Sequence, residues 1–436
     1  MPKFSLLFFV LFSATLANAQ KVAFTEYDLA NGLHVILHQD NTAPVVAVSV
    51  MYHVGSKNEQ TDRTGFAHFF EHLLFEGSDN IKRGEFMKIV SSNGGQNNAN
   101  TSQDRTFYYE VFPSNQLETG LWLESERMFH PVINQVGVKT QNEVVKEEKR
   151  LRVDNQPYGN FLNEVMKRLF TKHPYNWVPI GSMAHLDAAT LDEFIAFNKK
   201  YYVPNNATLV IAGDINAEKT KKLVNDYFAE IPAGAPVAKV NIKEDPITKE
   251  MVDTAYDNNI QIPAVMTAYR TPGMTSKESL ALQLAADVLS TGASSRMYKK
   301  MVDDKKNSLS VGCFNYALED YGAYITYALP SGPYPLDSLL KDMDDEIVKL
   351  QTDLISETEF TKIRNQYENN YIGKNAKMLG VAENLADGYT FQNKNTNYIN
   401  EELTEVRKVT RNDIQAVAKK YLNKNQRVVL YYLPKK

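Results

Sequence analysis

His68 and His72 stand four residues apart in TGFAHFFEHLLFEGS (residues 64–78), with Glu71 directly before the second. On a helix, residues four apart share a face, so both imidazoles can be offered to one ion. Glu71, three residues after His68, falls beside that face, where its carboxylate can reach a water molecule at the ion. Two imidazoles plus a carboxylate, with one coordination position left open, suit a single Zn2+. An ion of this kind beside a general base is the equipment of hydrolysis. Phe69, Phe70, Leu73, Leu74 and Phe75 crowd the motif and predict a buried helix, where imidazoles need partners.

The missing carboxylate must come from another element. VKTQNEVVKEEKRLR (138–152) reads as an acidic helix and offers Glu143, Glu147 and Glu148. Neighbours on a helix diverge by about 100°, so only one of Glu147 and Glu148 can face the ion. Spacing does not choose between them. A further element is announced by Asn98-Ala99-Asn100-Thr101, which leads into DRTFYYEVF, an alternating pattern that reads as a strand.

Behind these elements the chain is duplicated. ATLDEFIAFNKKYYVPNNATLVI (189–211) aligns without gaps on VTRNDIQAVAKKYLNKNQRVVLY (409–431) at a constant offset of 220. Thr190 meets Thr410, Lys199-Lys200-Tyr201 meets Lys419-Lys420-Tyr421, and Asn205 meets Asn425. Each copy reads helix, turn, β-branched strand. The repeat predicts two α+β domains of one fold, joined by the Pro- and Ala-rich IPAGAPVAKVNIKEDP (231–246). If Gly77 aligns on Gly292, then His68, Glu71 and His72 face Gln283, Ala286 and Asp287, so only the first copy can hold metal.

Composition sets outer limits. With 436 residues, 43% apolar and 23% charged, the chain can bury large cores. A formal charge of -4 with no basic block argues against a nucleic-acid partner. The first residues, MPKFSLLFFVLFSATLANAQ, read as a secretory signal peptide: one early lysine, an apolar run, and Ala17-Asn18-Ala19 before the expected cut at Gln20. Export follows, to the periplasm or beyond the cell, with no membrane anchor after cleavage. Cys313 is the only cysteine, so no internal disulfide can form, and its apolar setting marks it as core filler.

These motifs together resemble the insulinase/pitrilysin family of zinc metallopeptidases. The likeness is to its short-chain branch, with mitochondrial processing peptidase and its bacterial relatives. His68-Phe69-Phe70-Glu71-His72 is the inverted zincin motif. GGQNNANTSQDRTFYYE (94–110), NEVVKEEKR followed by Pro157-Tyr158-Gly159, YYVPNNATLVIAGD (201–214) and GASSRMY (292–298) carry the likeness nearly end to end. It implies two homologous domains, each a mostly antiparallel sheet packed with helices, forming half of a clamshell. It also implies one Zn2+ per chain held by His68, His72 and Glu148, with Glu71 as catalytic base. The stretch Asn98, Ala99, Asn100 and Thr101 becomes an edge strand to which a peptide adds in extended form.

Two departures from the family accompany it. Gln141 stands where many relatives carry an acid. The Arg/Tyr pair that clamps substrate from a facing domain is missing, since Val302 and Leu309 occupy those places. The resemblance therefore predicts a heterodimer with a homologous non-zinc subunit that supplies the pair. Expected domains are a leader (1–19), a catalytic zinc domain (20–230), a linker (231–249) and a homologous domain without metal (250–436). The alternatives are a non-catalytic peptide-binding or scaffolding subunit, and a zinc hydrolase acting on something other than peptides.

Overall fold

Two mixed sheets organise residues 21–435, the part of the chain that the computed structural model describes; the leader expected at 1–19 lies outside it. The first sheet contains β1 (Thr25–Asp28), β2 (His34–Gln39), β3 (Val45–Tyr52), β4 (Gln96–Thr101), β5 (Thr106–Pro113) and β6 (Ala207–Gly213), in the order β1-β2-β6-β3-β5-β4. The second contains β7 (Met251–Asp257), β8 (Ala264–Pro272), β9 (Ser308–Ala317), β10 (Tyr321–Pro330) and β11 (Arg427–Pro434), in the order β7-β11-β8-β10-β9. In each sheet one pair is parallel, β2 with β6 and β7 with β11, and the rest are antiparallel. The sheets therefore share one topology, to which the first adds β1. The fold is α+β in two halves, as the repeat predicted.

The aligned segments occupy matching places. Leu191–Tyr201 and Arg411–Tyr421 are helices that lead into β6 and β11. Each begins with a capping box, Thr190 with Glu193 and Thr410 with Asp413. Reciprocal side-chain and backbone bonds at those starts satisfy N–H groups that a helix leaves free.

The central strands are apolar on both faces because both faces are covered. Along β3, Val46, Val48, Val50 and Tyr52 enter one core with the helices of the first half. Ala47 and Met51 enter another, with Ile36, Val210 and Ala212. The cover on that second face is borrowed. Helix Met378–Phe391, from the second half, lays Val381, Ala382, Leu385 and Ala386 on it. In return helix Phe161–Leu169 buries Val165, Met166 and Leu169 against Met266, Ala268, Val428 and Leu430 of the second sheet. Cys313 is buried in the second core. Among the described residues no helix is long and apolar enough to cross a membrane.

Candidate metal centre

The motif forms helix Phe66–Leu73, whose apolar side sinks into the first core through Phe66, Phe69, Phe70 and Leu73. Its start is fixed by a buried carboxylate. Glu59 accepts from the backbone N–H of Gly65 and Ala67, each at 2.9 Å, and from Trp177 Nε1 at 3.0 Å. The helix has no capping side chain of its own, so Glu59 supplies the acceptors that its first turn lacks. Farther along, Tyr108 of β5 donates its hydroxyl to the carbonyl of Phe70 at 2.8 Å.

The acidic helix is Gln135–Lys149, started by Asn134, whose side chain accepts from Gly137 N. It crosses beside the motif helix and carries Glu148 to the imidazoles. Glu148 Oε2 lies 3.0 Å from His72 Nε2 and 3.5 Å from His68 Nε2. The imidazole centroids are 4.9 Å apart. One ligand atom from each of His68, His72 and Glu148 falls within 4.8 Å of the other two, and among the described residues this is the one such trio. Glu147 turns outward to Arg150, and Glu143 pairs with Lys146 at the surface.

This donor set fits a divalent ion such as zinc. Glu148 Oε2 is buried and has no hydrogen-bond partner, although an imidazole nitrogen lies 3.0 Å away. A carboxylate oxygen left unsatisfied in that position calls for a cation. Burial, with the charge of His72 adding to it, pushes the His68 pKa down to about 4, which keeps the ring neutral and able to ligate. The nearness of His72, then of His68 and Arg152, holds Glu148 below the usual carboxylate range.

Glu71 projects beside the trio. Thr101 Oγ1 donates to its Oε2 at 2.7 Å, and burial raises its pKa. Thr101 ends β4, the outermost strand of the first sheet, so one edge of β4 lacks a partner strand. Asn98 accepts from the N–H of Ala99, and Asn100 accepts from Arg105 Nη1 at 2.7 Å. The Ala99 side chain lies in the first core, so its small size answers to packing beneath the strand.

Gln141 donates to Glu76, just past the motif helix, and so ties the two helices together. Val302 is half-buried in a wide turn, Tyr298–Asp304, and Leu309 is exposed on the edge strand β9. Arg296 pairs with Glu359. Asp287, facing His72 in the repeat, is engaged by Thr291 and Gln283 instead. Sequence reasoning missed Glu59 and Arg152, whose Nη1 lies 2.8 Å from Glu148 Oε1. The spacing of Arg152, four after Glu148, was the available signal.

The chain is similar to known proteins over most of its length. Residues 34–176 match the family described as Insulinase (Peptidase family M16), and residues 188–367 match the Peptidase M16 inactive domain. A zinc protease of Helicobacter pylori, PqqE, is 30% identical over 84% of this chain and 83% of its own. The crystal structure of a protease from Helicobacter pylori superposes with a TM-score of 0.90 at 28% identity, covering 95% of this chain and all (100%) of that one. The periplasmic protease PqqL from Escherichia coli shares the fold, with a TM-score of 0.75 at 18% identity, over 94% of this chain but 47% of its own. With two matched domains in series and a curated relative aligned along most of both chains, this protein belongs to the M16 family of peptidases.

Proposed function

We propose that the chain is an exported zinc metalloendopeptidase that hydrolyses peptides or unfolded chains, and that it is the catalytic subunit of a heterodimer. The observation that carries this reading is the convergence of His68, His72 and Glu148 on one point with Glu71 beside them. One Zn2+ per chain is held by those three residues, and when bound it supplies a Lewis acid that lets water attack near neutral pH. Glu71, half-buried and oriented by Thr101, takes the proton of the attacking water and returns it to the leaving amine. A peptide in extended form adds along Asn98, Ala99, Asn100 and Thr101, where the free edge of β4 supplies backbone donors and acceptors.

The division of labour runs along the chain: leader (1–19), catalytic domain (20–230), linker (231–249) and homologous domain without metal (250–436). Support for a partner comes from Val302 and Leu309, which offer no donor to a substrate carbonyl. A longer chain of the same fold also contains about twice this length. A homologous non-zinc subunit with an Arg/Tyr pair supplies what is missing. Export, with the periplasm as destination, rests on the leader sequence.

The test is hydrolysis of quenched fluorescent peptides by the zinc-loaded mature chain, alone and with a co-expressed homologous subunit. Glu71→Gln should retain stoichiometric zinc and lose hydrolysis. Full activity in that variant would remove Glu71 from the mechanism, and robust activity of the single chain would remove the heterodimer. A second reading, a non-catalytic binding subunit, is favoured by the match of residues 188–367 to the inactive-domain family. Metal content separates the two, because a binding subunit has no need of zinc.

A further inference from the structure

The helix that carries Glu148 ends in an unusual way. After Lys149 its hydrogen bonds lengthen by one residue, and the N–H of Asn155 donates to the carbonyl of Arg150 at 2.8 Å, closing a π turn over Arg150–Asp154. Such turns are rare and gather at functional sites. This one is gripped from two directions. Gly159 passes so close that a Cβ there would lie 2.3 Å from the carbonyl oxygen of Val153. From the second half, Asn259 Nδ2 donates to the carbonyl of Asp154, and Asp257 Oδ2 accepts from the N–H of Tyr158 at 3.1 Å. Tyr158 donates its hydroxyl to the carbonyl of Ile262 at 2.5 Å. The half that holds no metal trio thus anchors the turn next to a ligand of the half that does.

What this turn presents is Arg152. Its Nη1 stands 2.8 Å from Oε1 of Glu148, while the other oxygen, Oε2, faces the two imidazoles and has no hydrogen-bond partner. The two oxygens of one carboxylate therefore have separate occupants. A carboxylate free at both oxygens can swing and offer both to an ion, filling the position that a catalytic site must keep open. A fixed positive charge paired with one oxygen opposes that swing. Between two solvated side chains such a pair would count for little. Here the Glu148 side chain is 15% exposed, and its angle decides what reaches the ion.

We propose that Arg152 is a positioning residue: it engages Oε1 of Glu148, restricts ligation to Oε2, and is itself set in place by the second half's hold on the π turn. This rests on the metal-centre reading above and deepens it. Arg152 acts through Glu148 and touches no reacting atom.

The experiment measures zinc affinity of the mature chain by competition with a chelator, without reference to hydrolysis. Arg152→Gln should weaken zinc binding 10- to 100-fold, the range on the order of that seen when a partner of a metal ligand is lost. Arg152→Lys should recover most of the loss, and Arg150→Gln, which removes the outward pair with Glu147, should leave affinity unchanged. Asn259→Ala should weaken zinc binding by a smaller factor through the turn. The thermal midpoint of the zinc-free chain should be the same for wild type, Arg152→Gln and Arg152→Lys, because Arg152 is 78% exposed. Wild-type affinity in Arg152→Gln, or equal losses in Arg152→Gln and Arg150→Gln, overturns the proposal. If His72→Ala binds zinc as tightly as wild type, the metal-centre reading itself falls and takes this inference with it.

Discussion

Glu71 and Glu148 are the same residue type beside the same imidazoles, yet their surroundings pull them apart. Burial raises Glu71, so it takes a proton readily. The nearness of His72, with His68 and Arg152, lowers Glu148, so it stays ionised and able to ligate. Environments that separate two carboxylates in this way match the division into base and ligand that the proposed function uses. Among the described residues Thr101 is the one side chain that donates to Glu71. Thr101→Val keeps the strand-forming shape and removes the hydroxyl, at a cost of about 1.5 kcal/mol. The expected result is a roughly tenfold fall in kcat/KM with zinc content unchanged. Equal kinetics in the variant would mean that Glu71 is oriented by something else. At this scale the histidine pair was legible because it lies within one helix turn. Choosing among Glu143, Glu147 and Glu148 was not possible from spacing, since all three sit on one helix whose rotation is set by packing against another.

Two elements deserve separate tests, one for the stability of the motif helix and one for substrate. Three N–H donors converge on Glu59, and an amide there would turn a donor toward one of them. Glu59→Gln should therefore destabilise the chain by about 1–3 kcal/mol, read as a lower denaturation midpoint at unchanged slope. The edge of β4 makes a different prediction, at the level of backbone. Peptides that bind as an added strand lose hydrogen bonds when alternate amides are methylated. Affinity should thus fall for one set of alternate positions and hold for the other. Insensitivity at every position would exclude strand addition at β4. Strands were readable from alternation, and the paired helices from the repeat. The role of Glu59 was not, because its partners only become neighbours when the loop before the motif folds back.

Across the whole molecule, each half keeps a core of its own on one face of its sheet and has the other face covered by a helix from its neighbour. The turn before β10 completes the joint. Lys57 of the first half, buried, meets Asp104, Glu319 and Asp320, and His53 Nε2 lies 2.7 Å from Glu319. Burial by itself would raise the Glu319 pKa, but His53 and Lys57 outweigh it and hold it at about 2. A carboxylate lowered on folding adds stability that is present above its unfolded value near 4.5 and lost as pH falls through 2. The junction between the halves should therefore weaken between those limits. Hydrogen-exchange protection in β9 and β10, corrected for the intrinsic rate, should fall with acid in the wild type, and fall less in Glu319→Gln, which lacks the titrating group. An identical acid response in both would place the weak point elsewhere.

By itself, the sequence determined what is local: two imidazoles and a carboxylate on one helix turn, alternating strands, and a repeat that made the halves alike. Each depends on residues within a few positions of one another, where spacing is geometry. Only the tertiary structure decided which carboxylate joins the histidines, that Thr101 serves Glu71, and that the halves exchange helices. Those relations join residues far apart along the chain. Their distances follow from the packing of sheets and helices, which no local pattern encodes.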